Sequence, residues 1–274
     1  MKTALIAPIY ELDNFEHVDK IHLLLSHLVS RSPYWQFYIK KKLAGDYIIL
    51  DNSAHEFRKP VNPSKLIHDA TFVRADEVVL PDVPYDSEGT IKATRECLDY
   101  WARDPEFREL KPRLMLVPQG DDMKSWRTCL MALVLKAERI SREYRDVFRQ
   151  ELPVIGLPAK YDIKHGFSLA DMLENWLMPL STKGYPIHLL GCRDLWGLNE
   201  LAMAFTIRSI DSAKPFVYGA AGIVLDPVHE GPPEAITRPE GFFEWRFNEH
   251  QRAVATLNVS VFRGLARGRY PNHK

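Results

Sequence analysis

The chain has 274 residues, 46% of them apolar and 11% aromatic, which is ample material for the core of one large domain. Its 36 Lys and Arg are matched by 36 Asp and Glu, which excludes a globally basic nucleic-acid coat and an acidic solvating tail while leaving room for a local basic patch. The three cysteines (Cys97, Cys129, Cys192) are widely spaced and odd in number, which excludes a disulfide scaffold and a CxxC zinc knuckle. The first apolar run is too short for a signal peptide, and no stretch approaches the roughly 20 apolar residues of a membrane span. A soluble protein of a reducing compartment, the cytoplasm, with no membrane partner, is the expectation.

Short apolar runs bounded by turn residues recur along the chain, and most precede a longer amphipathic stretch. Residues 3–9 are β-rich and end at Pro8 and a polar turn; 21–26 form a second run. Residues 33–43 are helix-length, and Gly45-Asp46 separates them from Tyr47-Ile48-Ile49-Leu50. The later runs are 77–80, 114–117, 154–157, 187–190 and 206–210. They are continuous rather than alternating, as parallel strands covered on both faces should be. Helices are expected over 87–102, over 122–150, over 168–177 with Ser168 as cap, and over 195–205. Eight strands alternating with helices predict an α/β chain closing as a (β/α)8 TIM barrel. An open doubly wound sheet is the rival, but no GxGxxG turn follows the first strand. The expected organisation is a single domain over 1–274: a barrel to about 219, an irregular Gly/Pro-rich segment over 220–245, and a C-terminal helix with a basic tail over 246–274. That last stretch carries six Lys and Arg against Glu249 alone.

Unusual polar groups and glycines fall at the strand ends. Asp51, Asp82, Gln119, Gly191 and Asp211 close their runs, and Gly156 lies within its own. In a barrel, active sites sit at the carboxyl ends of the strands. Converging carboxylates repel, so one of them should titrate high or meet a hydrogen-bonding substrate. The bland alternative is that each Asp caps the next helix. It is weaker for Asp82, because Asp86 and Ser87 stand closer to the helix start, and for Gln119, because Asp121 and Asp122 can cap. Gly156 and Gly191 have an equally bland reading as packing glycines. Metal hydrolysis lacks its signatures, since neither an HxH pair at the first strand nor HExxH is present, and His22, His27 and His188 lie in or beside apolar runs. Neither GxSxG nor a paired base for Cys192 is evident. Carboxylate chemistry remains, with one Asp as nucleophile and another as acid/base.

The same segments resemble those of the tRNA-guanine transglycosylase family. Asp51-Asn52-Ser53-Ala54-His55-Glu56 is similar to its DSGG(F/Y)Q, and Leu80-Pro81-Asp82 stands at its FDE. Val117-Pro118-Gln119-Gly120 resembles VQGG, Ile155-Gly156-Leu157 resembles (I/A)GGL, Leu189-Leu190-Gly191 resembles LMGVG, and Ile210-Asp211-Ser212-Ala213-Lys214-Pro215 resembles FDCVLPTR. The resemblance implies a (β/α)8 barrel that exchanges guanine for a 7-deazaguanine without breaking the nucleic-acid backbone. It makes Asp211 the nucleophile on C1′ and Asp51 the general acid/base. Asp82 and Gln119 would bind the base edge, with the backbone at Gly156 and Leu157 reading its other side. Gly191 joins the substrate site, and His55 stands where the family places a stacking aromatic. Expulsion of a purine through an oxocarbenium-like state is what an opposing carboxylate stabilises and traps, and the base must first be turned out of its stack.

Departures are also visible. The family's CxCxxC…H zinc site is missing, so no metal and no other cofactor is expected. Ser53-Ala54 replaces Gly-Gly, and Glu56 replaces Gln. These losses resemble the short zinc-free relatives of bacteria and their viruses that insert 7-deazaguanines into DNA, placing the chain in a bacterial or virus-infected host cytoplasm. DNA is therefore the favoured partner and tRNA the alternative, with a free 7-deazaguanine, such as a nitrile or aminomethyl derivative, as the second substrate. Lys214, Arg263, Arg267 and Arg269 are the candidate phosphate contacts, and an oligomer is compatible with the sequence. A non-catalytic nucleic-acid-binding subunit and an unrelated carboxylate hydrolase are the competing readings.

Overall fold

The computed structural model describes residues 1–15, 19–57, 59–143, 151–158, 169–192, 195–226 and 238–270. Eight parallel strands occur in it: β1 (Lys2–Leu5), β2 (Ile21–Leu25), β3 (Tyr47–Asp51), β4 (Glu77–Val79), β5 (Arg113–Leu116), β6 (Val154–Pro158), β7 (Ile187–Leu190) and β8 (Ser209–Ser212). They form one sheet in the order β1-β8-β7-β6-β5-β4-β3-β2, the sheet of a (β/α)8 TIM barrel. The helices follow as α1 (Ser32–Leu43), α2 (Ala54–Phe57), α3 (Pro63–Val73), α4 (Ser87–Trp101), α5 (Pro105–Leu110), α6 (Met123–Glu143) and α7 (Leu169–Met172). A π-helical turn, Leu173–Leu177, joins α7 to α8 (Met178–Ser181); then come α9 (Leu195–Ala204), α10 (Lys214–Ala220) and α11 (Glu249–Ala266). No helix among the described residues is long and apolar enough to cross a membrane.

Strand bounds differ from the sequence expectation at both ends of the chain. The first strand stops at Leu5, and Ile9–Asn14 is a 3-10 helix, because Pro8 has no N–H to give a neighbouring strand. The last strand starts at Ser209 rather than 206 and contains Asp211 instead of ending before it. Helices α3 and α5 were not expected. Each opens on a residue whose side chain accepts the first free N–H groups, Asn62 or Asp104, followed by a proline pre-set for the first turn. The Ser168 cap and the last turns expected for 144–150 lie outside the described residues, as do 227–237 of the irregular segment.

Two compact units make up the chain: Met1–His22 with Leu189–Lys274, and Leu23–His188. In the larger unit Leu50, Val78, Leu116 and Ile155 are fully buried on adjacent strands. Around them stand the inner faces of α4 and α6, including Leu98, Trp101, Trp126 and Leu130.

In the smaller unit β1 and β8 pair in parallel, with Ala4 opposite Asp211. The backbone of α10 lies against α11 so closely that a Cβ on Gly219 would stand 2.5 Å from the Ala255 Cβ. Helix α11 carries a capping box, in which Asn248 accepts from the Gln251 N–H and the Gln251 side chain returns the bond. Its far end is tied to β1: Arg267 donates to Asp19 at 2.6 Å, and Asp19 accepts from the Thr3 N–H and hydroxyl.

The same unit holds an almost completely buried acid, Glu11, 1% exposed. Its carboxylate accepts from Arg252 at 2.8 and 3.2 Å, from the Phe247 N–H at 2.8 Å and from Asn14 at 2.7 Å. Burial pushes its pKa up, but these donors overcome that and hold it below its ordinary 4.5. A carboxyl lowered in the folded state stabilises at pH values above its unfolded pKa, and the gain is lost as pH falls through the folded value. Glu11→Ala is expected to cost about 2–3 kcal/mol near neutrality, because it strands the Phe247 N–H and the Asn14 amide. The deficit should shrink as pH falls below 4.5, measured by urea unfolding across pH; a pH-independent deficit would count against the ionised network.

Candidate active site

The carboxyl ends of β3, β4 and β5 carry Asp51, Asp82 and Gln119, all in the Leu23–His188 unit. Asp82 is 7% exposed and Gln119 5%. The Asp82 oxygens accept from two neutral amides: Asn52 Nδ2 at 2.8 Å on Oδ1, and Gln119 Nε2 at 2.6 Å on Oδ2. Both amides are held with their N–H groups toward the carboxylate by the backbone. The Ala54 N–H donates to Asn52 Oδ1 at 2.7 Å while Asn52 Nδ2 also donates to the Leu80 carbonyl at 2.6 Å. The Tyr85 N–H donates to Gln119 Oε1 at 3.2 Å. Rotating either amide would put an N–H against an N–H, so the set is fixed as donors around one acceptor.

The loop bearing Asp82 is clamped from below. Thr90 and Thr94, one turn apart on α4, bond it: Thr90 Oγ1 accepts from the Val83 N–H and donates to its carbonyl, and Thr94 donates to the Pro81 carbonyl at 3.0 Å. Asp86 caps α4 by accepting from the Gly89 N–H, so Asp82 is not needed for capping. After Gln119 the chain passes so close to α6 that a Cβ on Gly120 would stand 2.3 Å from the Trp126 nitrogen; only glycine fits there.

Asp82 differs from Glu11 in having neutral partners. Burial pushes its pKa up from 3.8 to about 6, against the opposing bonds from Asn52 and Gln119. It is therefore a buried acid that ionises close to neutrality, as groups in ligand sites often do. Its linkage runs opposite to that of Glu11: the stability it permits is full below pH 3.8 and is lost as pH rises through about 6.

Asp51 is half-buried at the end of β3, and its Oδ2 accepts from the Ser53 N–H at 2.8 Å. That N–H is aimed by an unusual backbone: Ser53 has φ +57, in the left-handed region that glycine enters at little cost. Ser53 is fully buried, and its Oγ lies 3.0 Å from His27 Nδ1 and accepts from the His27 N–H at 3.3 Å. The sequence reading missed Asn52, Ser53 and His27. The Ser53 signal was in the motif itself, where a serine replaces the first of two glycines. His55 is exposed on α2, and Gly156 and Leu157 are buried within β6.

The smaller unit holds the remaining candidates. Asp211 is 6% exposed within β8, and its Oδ1 accepts from the Gly191 N–H at 3.1 Å. Gly191 has φ +78, so the residue after β7 needs glycine to turn its N–H that way. Lys214 opens α10, its backbone N–H donates to Ser212 Oγ at 3.0 Å, and its Nζ lies 5.9 Å from the Tyr218 ring. Of the basic tail, Arg267 is engaged by Asp19, Arg269 is exposed, and Arg263 is half-buried with an Nε that finds no acceptor among the described residues. No cluster of three or more His, Cys, Asp or Glu side chains fit to hold a metal occurs among the described residues.

Asn52→Ala removes one of the two donors to Asp82. It should raise the Asp82 midpoint above about 6 in a carbon-13 carboxyl titration and cost about 1–3 kcal/mol of stability. A wild-type midpoint near 3.8 would overturn the account of this site. In comparisons with known proteins, no protein-family model and no curated sequence matches the chain.

Proposed function

We propose that the protein is a nucleic-acid guanine transglycosylase that exchanges guanine for a 7-deazaguanine, with DNA as the favoured substrate. The observation that carries the reading is Asp82: a buried carboxylate that meets no cation among the described residues, held by fixed amide donors at the end of a barrel strand. Each of its oxygens keeps a lone pair after accepting one amide. Two acceptors side by side suit two donors side by side, which is what the N1–H and exocyclic amino group of a guanine edge present. The order of motifs around it, and the barrel that carries them, support the same choice. In a barrel, such strand ends form the active site.

On this reading Asp211 attacks C1′ as the bond from C1′ to the base nitrogen breaks, giving a glycosyl ester. Asp51 supplies the proton that the departing guanine takes. The incoming base then gives its ring N–H proton to Asp51 as its nitrogen displaces the Asp211 carboxylate, which restores both acids. The Gly191 N–H on Asp211 directs that carboxylate, and the Ser53 N–H does the same for Asp51.

Asp211→Ala should lower exchange of labelled guanine into DNA by at least about 10³-fold and abolish the adduct seen on a denaturing gel, while DNA binding survives. Exchange by the wild type should also fall as pH drops below about 6, because a protonated Asp82 can no longer accept both base N–H groups. Undiminished exchange by Asp211→Ala, or release of free base with no exchange, would refute the reading. Exchange into tRNA but not into DNA would move the substrate while keeping the mechanism.

A further inference from the structure

In the smaller unit, the 3-10 helix Ile9–Asn14 follows the carboxyl end of β1, and β1 pairs with β8 so that Ala4 faces Asp211. The Ile6 N–H continues the ladder to the Ser212 carbonyl at 3.0 Å. The short helix therefore rises from the same end of the sheet as the candidate nucleophile. Phe15, just past the helix, packs edge-on against Phe216 of α10 at 4.7 Å and against Phe247 at 6.4 Å. Glu11 fixes the assembly through Arg252 and the Phe247 N–H. Each residue of this lock has an outward neighbour: Tyr10 precedes Glu11, and Arg246 precedes Phe247. The two meet, with Arg246 Cζ lying 3.8 Å from the Tyr10 ring centroid.

Both are turned to solvent. Tyr10 is 44% exposed and Arg246 is exposed. Arg252 is taken up by Glu11, whereas Arg246 has no carboxylate partner among the described residues. An exposed guanidinium over an aromatic ring, with no carboxylate partner among the described residues, is a surface on which an unpaired nucleobase stacks, with the N–H groups turned to phosphate.

We propose that Tyr10 and Arg246 form a stacking platform for a nucleotide beside the one that reacts, holding the strand open next to Asp211. The proposal rests on the nucleic-acid reading of Asp211 and adds a strand contact to it. A base turned out of its stack leaves its neighbours with a bare face, and a base–guanidinium–ring stack covers one of them.

The test is fluorescence anisotropy with a labelled single-stranded DNA oligonucleotide, on wild type, Tyr10→Leu and Arg246→Lys. Both side chains are exposed, so neither variant disturbs the core. Each should weaken binding roughly fivefold or more, with the Arg246→Lys salt dependence unchanged because the charge is kept. In a series with one abasic position scanned along the oligonucleotide, the difference between wild type and Tyr10→Leu should vanish at one position. Full binding by Tyr10→Leu, or full binding by Arg246→Lys, overturns the platform. If wild type exchanges guanine and the variants match it in binding and exchange, the platform alone fails. If wild type neither binds nucleic acid nor exchanges base, the parent reading fails with it.

Discussion

Taking a carboxylate out of water with no cation beside it is among the costlier acts a fold performs, and the Leu23–His188 unit does so at Asp82. Much of the surrounding local structure follows from that. Two side-chain amides must point their N–H groups inward, so the backbone at Ala54, Leu80 and Tyr85 is arranged to hold them. The loop must not drift, so α4 grips it with two threonines. The connection after Gln119 must stay short and close to α6, which leaves room for glycine alone at 120. Fixed dipoles of this kind solvate a charge without neutralising it, and the carboxylate keeps its appetite for further donors.

Glu11 in the other unit shows the alternative. It is just as buried, but a guanidinium and a backbone N–H meet it, and its pKa falls rather than rises. Such an acid is satisfied by the protein itself and serves to clamp a helix to a distant segment. Asp82 is satisfied only in part. The contrast between a closed ion pair and an open acceptor is the physical ground on which one is read as scaffold and the other as site.

The barrel was largely legible because continuous apolar runs of strand length, separated by helix-length amphipathic stretches, leave few other solutions. Where the reading slipped, a local rule was outweighed. Thr206 and Ile207 look more strand-like than Asp211 and Ser212, yet the ladder with β1 takes the latter, because pairing partners and not apolarity decide register. Helices α3 and α5 carried readable starts, Asn62-Pro63 and Asp104-Pro105, in stretches too short or too polar for periodicity to stand out. The strand-end acids could be named in advance, but their surroundings could not. That Asn52 turns inward, or that Arg267 meets Asp19 248 positions away, depends on tertiary geometry with no echo in local sequence.

Ser53 keeps a backbone shape that glycine would adopt with less strain, by roughly 1–2 kcal/mol. What serine adds is an oxygen that holds imidazole and main-chain N–H of a residue 26 positions earlier. The site thus stores a small internal tension whose release is blocked by one hydroxyl. Drift toward glycine at this codon would relax the turn and keep the N–H that meets Asp51, at the loss of the oxygen that anchors residue 27.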